Sequence, residues 1–464
     1  MEPLKINEIA QVTGGSVAAG SPETVVTGIS IDTRTLKPGD LFVAIKGKQL
    51  DGHQFVCEAL TKGARAVIVE RGWEFGKHGV IVSLPDTKAA LLSLASWYRE
   101  KMRGQVVAIT GSNGKTTTKE MLATILEPQF SVVKARASFN NDIGVPLTVM
   151  EIDSKTDVAI FEIEMNEMGG TFRLAQVCKP AIGVVTNVGD THLEFMKDRF
   201  GVAREKAELL EALPESGVAV LNFEDPIVMA SAREVTKKKR LGIVTFGFNK
   251  SADVFATDVV ELGLKGTQFL LQGKYPVTLS VPGRHNIANF LAASAAALVL
   301  GVSFPEMGSA ISKFAPASQR LTICHLNGVI IIDDSFNANP QSMKAALAVL
   351  KTIEPPKSRV AILADMLELG EKAVPLHQEL GVEAGVCVDR LVVIGEMAPF
   401  VARGAMTAGL GANRIKIYRT VADVSEDLFD FLQSGDTILV KGSRAMALEQ
   451  VTEKIVRHYG EKTD

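Results

Sequence analysis

The sequence predicts an α/β protein of three domains, and three observations carry that expectation. From residue 104 onward, short apolar runs alternate with amphipathic helical stretches, the pattern of mostly parallel sheets. A glycine-containing turn, Gly111 to Gly114, joins one such run to a helix. A chain of 464 residues also exceeds what one hydrophobic core organises, so about three domains are expected. Their expected bounds are a small mixed α/β domain over 1–103, a central P-loop-type, mostly parallel α/β domain over 104–316, and a C-terminal Rossmann-like doubly wound domain over 317–464.

Bulk properties exclude several classes. The chain is 46% apolar and 22% charged with net charge −3, so it offers no basic field for nucleic acid. Cys57, Cys178, Cys324 and Cys387 form no CxxC pair, which argues against a zinc ribbon and suits a reducing compartment. The start, MEPLKINEIAQVTGG, has no signal-peptide core. Phe290 to Val302 is too short to cross a bilayer and follows the polar GRHN. A cytoplasmic monomer, with no nucleic-acid partner and no membrane insertion, is the expectation.

In the first domain, a short alternating strand and a Pro38-Gly39 turn precede a strand at Leu41 to Ile45 and a loop around Asp51, Gly52 and His53. Asp32, Thr33 and Arg34 read by themselves as a plain turn. Thr87 to Met102 places Leu91, Leu94, Ala95, Tyr98 and Met102 at helical spacing, and Arg103-Gly104 marks a boundary.

In the second, the strand Val106 to Ile109 ends at Thr110 and Gly111, and helical spacing begins after Gly114. Such a turn directs backbone N–H groups and the positive end of a helix dipole at one spot, where a phosphate can sit. Ser112 and Asn113 fill the turn, Lys115 adds a positive charge, and Thr116, followed by Thr117, offers a hydroxyl to Mg²⁺. The spacing is GxxGKT rather than the common Gly-x4-Gly-Lys-Ser/Thr, with Ile109 where the first glycine would fall. The strand Asp157 to Met165 carries Glu162 and Glu164 near its end, two apart and so on one face. The run Ala181 to Val185 leads to His192 in the next loop. One carboxylate, one histidine and the Thr116 hydroxyl suit a divalent ion, Mg²⁺ or Mn²⁺, on ATP phosphates.

Helix Val202 to Leu213 places Lys206 on its apolar stripe. That pattern admits a snorkelling lysine or a desolvated one able to react with CO₂ to a carbamate. Asn286 and Asn289, a helical turn apart at the start of a small-residue helix, suit either an adenine edge or a helix cap.

The third domain shows strands at Val329 to Ile332, Val360 to Leu363, Leu391 to Ile394, Ile415 to Tyr418 and Thr437 to Val440, and a helix from Gln341 to Ile353. It lacks GxGxxG, so dinucleotide binding is not expected. Three strand ends are polar: DDSFNANP (333–340), ADMLELG (364–370) and KGSR (441–444). Three at one sheet edge point to a site facing another domain.

Taken in order, TGSNGKTTT, SFNNDIGVP (138–146), GRHNIAN (283–289), DDSFNANP, DMLELGE (365–371) and VKGSR resemble the Mur ligase family, the ATP-dependent ligases of peptidoglycan precursor synthesis. The DTR at 32–34 and the PGDLFVAIKG block are similar to that family's uridine-nucleotide-binding N-terminal domain. The resemblance runs over nearly the whole chain and is strongest to the branch that adds D-alanyl-D-alanine. It implies an ADP-forming ligase: ATP phosphorylates the terminal carboxylate of UDP-N-acetylmuramoyl-tripeptide, and the dipeptide amine attacks the acyl phosphate. By the same resemblance the backbone of Gly111, Ser112, Asn113 and Gly114 holds ATP together with Lys115, Thr116 and Thr117. Asn286 and Asn289 lie at adenine, while Arg320 and Asp334 are nucleotide contacts from the last domain. Thr116, Glu162 and His192 serve the metal, Lys206 matches a carbamylated lysine that also serves it, and Lys115, Glu162, His192 and Lys206 make the catalytic set. Thr33 and Arg34 would meet the uridine end, Asn140 and Asn141 the muramoyl-peptide, and Asn337, Asn339 and the KGSR loop the dipeptide. Three departures stand out: Ala364 before DMLELG, Phe336 for tyrosine, and Glu164 where glycine is frequent. Of the two carboxylates, Glu162 is the expected metal ligand. The rival readings are the Mur-type ligase that adds the third residue, folylpolyglutamate synthase, and a non-catalytic nucleotide-binding module.

Overall fold

A computed structural model describes residues 1–47, 50–73, 79–353 and 357–460. The N-terminal part holds a five-stranded sheet in the order Ser16–Ala19, Ile81–Leu84, Ala66–Glu70, Asp40–Val43, Gly28–Ser30. Only Ser16–Ala19 runs antiparallel to its neighbour. The strand expected at Leu41 to Ile45 covers Asp40–Val43. Helix α1 (Thr87–Lys101) starts where Asp86 accepts from the N–H groups of Lys88 and Ala89, both at 2.9 Å. Its Leu91 is buried, and Leu94, Ala95 and Tyr98 share one core with Val106, Ala108, Ala159 and Phe161 of the following sheet. The boundary near Arg103 and Gly104 is braced, because the Arg99 guanidinium donates to the carbonyls of Met102, Gly104 and Cys178.

The central sheet has nine strands. From the expected patterns come β1 (Gln105–Thr110), leading into helix α2 (Lys115–Leu126), then β2 (Val158–Glu162), helix α3 (Gly170–Cys178), β3 (Ile182–Val185) and helix α4 (Arg199–Glu211). β1 lies between β2 and β3, parallel to both. The chain passes outward on one side through β2 and on the other through β3, which opens a crevice beyond the carboxyl end of β1, where such sheets bind ligands. An antiparallel edge, Val254–Glu261, Thr267–Leu271 and Tyr275–Leu279, completes the sheet before helix α5 (Arg284–Val299), which packs on α2.

The last sheet has six strands. Thr322–Leu326 is an antiparallel edge to β4 (Val329–Asp333), and this hairpin, turned at Asn327-Gly328, was absent from the sequence-based expectation. The Asn-Gly pair between two apolar runs was the signal for it. Helix α6 (Pro340–Thr352) follows, then β5 (Ser358–Ala364), β6 (Arg390–Ile394), Ile415–Tyr418 and β7 (Asp436–Lys441). In space β7 lies between β4 and β5, so the loops after β4, β5 and β7 share one edge. A continuous core joins Val202 and Leu210 of α4 to Met343 and Leu347 of α6, which docks the last domain on the central one.

Candidate active site

The loop between β1 and α2 needs its glycines for two different reasons. Gly111 has φ 139 and Gly114 has φ 81, backbone that side chains rarely adopt. A Cβ on Gly111 would also lie 2.0 Å from Thr186 Oγ1, and one on Gly114 2.0 Å from Asn289 Oδ1. Asn187, just after β3, holds the loop from beneath: its carbonyl accepts from Ser112 N at 2.9 Å and its Oδ1 from Asn113 N at 3.0 Å. Local sequence gave no reason to single out Asn187, since its role exists only because β3 lies beside β1.

Lys115 opens α2 and is buried, with Nζ donating to Gly111 O and to Glu164 Oε1, each at 2.8 Å. Thr116 Oγ1 donates to Glu162 Oε2 at 2.7 Å. The two carboxylates meet, though not by strand alternation. β2 ends at Glu162, and Glu164 is placed by its N–H bond to Asn140 O at 3.0 Å. The Asn140 side-chain amide then donates to Glu162 Oε1 at 2.9 Å and to Glu164 Oε2 at 3.1 Å. Asn140 therefore clamps the carboxylate pair, whereas Asn141 caps the next short helix by accepting from Ile143 N and Gly144 N. Burial works to raise the Glu164 pKa, but Lys115, His192 and Lys206 together hold it well below the usual carboxylate range.

His192 has φ 53, and its Nε2 faces Glu164 Oε1 at 3.5 Å. Burial opposes its charged form, yet Glu164 and Glu368 outweigh that and raise its pKa. Lys206, 1% exposed on α4, does not snorkel. Its Nζ lies 2.7 Å from Glu205 Oε2, in an alignment that makes no hydrogen bond, so the nitrogen is buried without an acceptor. Glu205 is itself engaged by the Thr171 hydroxyl.

Across the cleft, Asn286 and Asn289 of α5 form a relay that ends on the loop. Asn286 Nδ2 donates to Pro282 O at 2.8 Å, Asn289 Nδ2 donates to Asn286 Oδ1 at 3.2 Å, and Asn289 Oδ1 packs on Gly114. Neither amide caps α5. The last domain supplies the facing wall. Lys441, ending β7, donates to Asp334 Oδ2 at 2.6 Å and to Asn337 O at 2.9 Å. The Arg320 guanidinium lies 4.2 Å above the Phe336 ring, with Arg444 at 5.3 Å from the same ring. His285 lies half-buried between these walls, and desolvation, opposed by Asp334 and helped by Lys441, pushes its pKa down to about 4. The cleft of about 180 Å³ is lined by Ser112 to Thr117, both carboxylates, Asn286, Asn289, Arg320, Asp334, Asn337, Asn339 and Lys441.

Of the residues expected at the site, Thr33, Arg34, Asn140, Asn141, His192 and Lys206 are not among the lining residues. Arg34 is a surface residue paired with Asp32, its Nη2 at 2.6 Å from Oδ2. Gln341 and Glu368, which sequence reasoning passed over as helix start and loop, both reach the central domain.

Comparison with known proteins places each of the three domains in one family. The Mur ligase middle domain matches residues 109–297, the Mur ligase glutamate ligase domain 319–444, and the Mur ligase family catalytic domain 25–95. The chain is 33% identical, over 97% of its length and 98% of the relative's, to a Bacillus subtilis (strain 168) protein named UDP-N-acetylmuramoyl-tripeptide–D-alanyl-D-alanine ligase. It is similar to a crystal structure of MurF from Acinetobacter baumannii, with TM-score 0.87, 31% identity, and 98% and 99% of the two chains covered. It is also similar to MurF ligase from Thermotoga maritima in complex with ADP, with TM-score 0.80, 27% identity, and 94% and 99% covered. Three domain matches in order and full-length similarity above 30% identity lead to one conclusion: the chain belongs to the Mur ligase family.

Proposed function

We propose that this protein is an ATP-dependent, ADP-forming ligase that joins D-alanyl-D-alanine to UDP-N-acetylmuramoyl-tripeptide in peptidoglycan precursor synthesis. The observation that carries the reading is the convergence of Lys115, Thr116, Glu162, Glu164 and His192 at the end of β1, facing a polar wall from the last domain. Full-length similarity to proteins named for this reaction supports the choice of substrates.

The chemistry is phosphoryl transfer followed by acyl transfer. The tripeptide's terminal carboxylate takes the γ-phosphoryl group and ADP leaves; the dipeptide amine then attacks the acyl carbon. Loss of a proton from nitrogen and of phosphate from carbon leaves the amide. No side-chain nucleophile is required, so positioning and neutralisation of anions carry the rate. Asn187 holds the N–H groups of Ser112 and Asn113, so the phosphates would be held by the loop N–H groups of Gly111 and Gly114, Lys115 and the α2 N-terminus. Asn286 and Asn289 lie on the base side, and Arg320 and Asp334 reach the nucleotide from the last domain.

Among the described residues no group of three or more His, Cys, Asp or Glu side chains could hold a metal ion unaided. Mg²⁺ on a polyphosphate needs only one or two protein carboxylates beside phosphate oxygens and water. Thr116, Glu162 and His192, with Glu164 adjacent, fit that requirement and would hold it, and Mg²⁺ would supply neutralisation of the transferring phosphoryl group. Lys206, buried beside Glu205 with no hydrogen-bonded acceptor, fits the carbamate reading: addition of its neutral amine to CO₂, with loss of one proton from nitrogen, yields an anionic group at this position.

The domains are taken as 1–103 for the uridine-nucleotide end through Thr33 and Arg34, 104–316 for ATP, and 317–464 for closure and the dipeptide through Asn337, Asn339 and the KGSR loop. No helix among the described residues is long and apolar enough to cross a membrane, and all four cysteines are free. The protein is taken as a cytoplasmic monomer. Incubation with ATP, Mg²⁺, UDP-N-acetylmuramoyl-tripeptide and candidate acceptors tests the reading by ADP release and product mass. Turnover with D-alanyl-D-alanine is expected. Turnover only with a single amino acid or with glutamate on a folate would move the enzyme to another branch, and ATP binding without turnover would make it a binding module.

A further inference from the structure

One cross-domain contact ends on a residue outside the cleft. His192 Nδ1 lies 2.5 Å from Glu368 Oε2, 176 positions later in the chain. The Glu368 carbonyl accepts from Glu194 N at 3.2 Å, a second bond across the same junction. Gly370, with φ 56, packs against the Glu194 backbone beside it. Glu368 itself has φ 59 and His192 φ 53. Two non-glycine residues in left-handed backbone, facing one another, persist only where the surroundings hold them, and such residues cluster at working sites.

The geometry has a chemical consequence. A neutral imidazole that gives its Nδ1 hydrogen to a carboxylate presents a lone pair at Nε2. Here Nε2 is the nitrogen turned to Glu164, on the side where Thr116 and Glu162 also converge. A carboxylate behind a histidine in this way fixes its tautomer and ring orientation and raises its basicity as a ligand. The carboxylate is carried by the other domain, on the loop after β5, so the orientation depends on docking.

We propose that Glu368 is a positioning residue: when the C-terminal domain docks, its carboxylate accepts a hydrogen bond from the Nδ1–H of His192 and turns Nε2 toward the Thr116, Glu162 and Glu164 set. The metal–nucleotide site is thereby completed by domain closure rather than preformed in the central domain. This rests on the reading above that these residues serve a cation on ATP.

The test uses the full-length wild type, Glu368→Ala, Glu368→Gln and, as a neighbouring control, Leu367→Ala, whose side chain is exposed. Mn²⁺ is titrated into each protein with the β,γ-imido analogue of ATP, free Mn²⁺ is read by electron paramagnetic resonance, and dimensions are measured by small-angle scattering. Glu368→Ala is expected to weaken Mn²⁺ binding by about 10–100-fold. Glu368→Gln, whose amide can donate to Nδ1 and impose the other tautomer, is expected to weaken it too, while Leu367→Ala stays at the wild-type value. If Glu368→Ala proves unfolded by thermal melting, Glu368→Gln, of equal size, decides the matter. Wild-type Mn²⁺ affinity in the folded glutamate variants overturns the proposal, even if scattering shows wider dimensions, because Glu368 would then be only a docking contact. Wild-type protein that binds Mn²⁺ with the analogue yet makes no product with the dipeptide overturns the proposed substrates and leaves the Glu368 result standing.

Discussion

Asn339 Nδ2, at the start of α6, donates to Asn113 Oδ1 in the phosphate loop at 2.7 Å. The C-terminal domain thus grips the loop itself, and Asn113 Nδ2 answers with a bond to Gln341 Oε1 at 3.0 Å. Two hydrogen bonds of this kind contribute about 1 kcal/mol each. Asn113→Ala removes both while leaving the loop backbone in place. It is expected to raise the KM for ATP several-fold and to widen the solution dimensions in small-angle scattering. Nucleotide and substrate together should contract the wild type from an open form. Equal dimensions in all states would argue against closure as a step.

Glu162 accepts from both Thr116 and Asn140 and stands at the end of β2. Glu162→Gln keeps the shape and removes the charge. The kcat is expected to fall by about 10²–10³, the scale of losing one electrostatic stabiliser, with the melting temperature nearly unchanged. Undiminished turnover would transfer the role to Glu164.

Gly114→Ala meets two obstacles, φ 81 and Asn289 Oδ1 at 2.0 Å. Gly169→Ala meets only one, since φ is 82 and nothing lies within 4 Å of its Cβ. Both are expected to lose about 1–3 kcal/mol of stability to backbone strain. Only Gly114→Ala should also lose ATP binding, measured by calorimetry. Equal nucleotide affinity in the two variants would show that Asn289 yields to the methyl group.

Tyr98 links the first two domains: its hydroxyl donates to Ile152 O at 2.6 Å and accepts from Glu2 N at 2.7 Å. Burial pushes its pKa up to about 12. A raised folded-state pKa means the folded form holds the proton more tightly. That contribution to stability is complete below about pH 10, the unfolded value, and is lost as pH rises to about 12. Tyr98→Phe should therefore be less stable at pH 8 and lose less between pH 9.5 and 11.5 in urea titrations. Parallel pH profiles for the two proteins would refute this.

Lys206 is the other group to probe directly. Protein equilibrated with ¹³C-bicarbonate is expected to show a carbamate carbonyl resonance that Lys206→Ala lacks. Lys206→Ala should lose most of its turnover, and absence of the resonance in active wild type would leave Lys206 a plain cation beside Glu205.

Some of this site was legible from residues alone. The run from Val106 to Leu126 gave strand, loop and helix because the apolar period changes at Gly114, and the chemistry of Lys115 and Thr116 is local to that turn. The strands β4 to β7 were likewise visible as apolar runs, and the polar DDSFNANP and KGSR ends marked the edge that faces the phosphate loop. The strand reading of 157–165 went too far, since alternation says nothing about where pairing stops. Asn140, expected at the muramoyl-peptide, bridges Glu162 and Glu164, a contact decided by the loop returning beside β2.

By itself, then, the sequence determined what is written in short range: element types, the phosphate loop, the family to which its motifs point, and the residue kinds available for catalysis. Tertiary structure alone decided which of them meet. Asn187 lies under the loop because β3 pairs with β1, Lys206 is buried because α4 packs into a core shared with α6, and His192 faces Glu368 because the last domain docks there. The physical reason is that periodicity and turn chemistry act over a few residues. Strand order and domain docking come from burying apolar surface between segments more than a hundred residues apart, and no local pattern specifies that pairing.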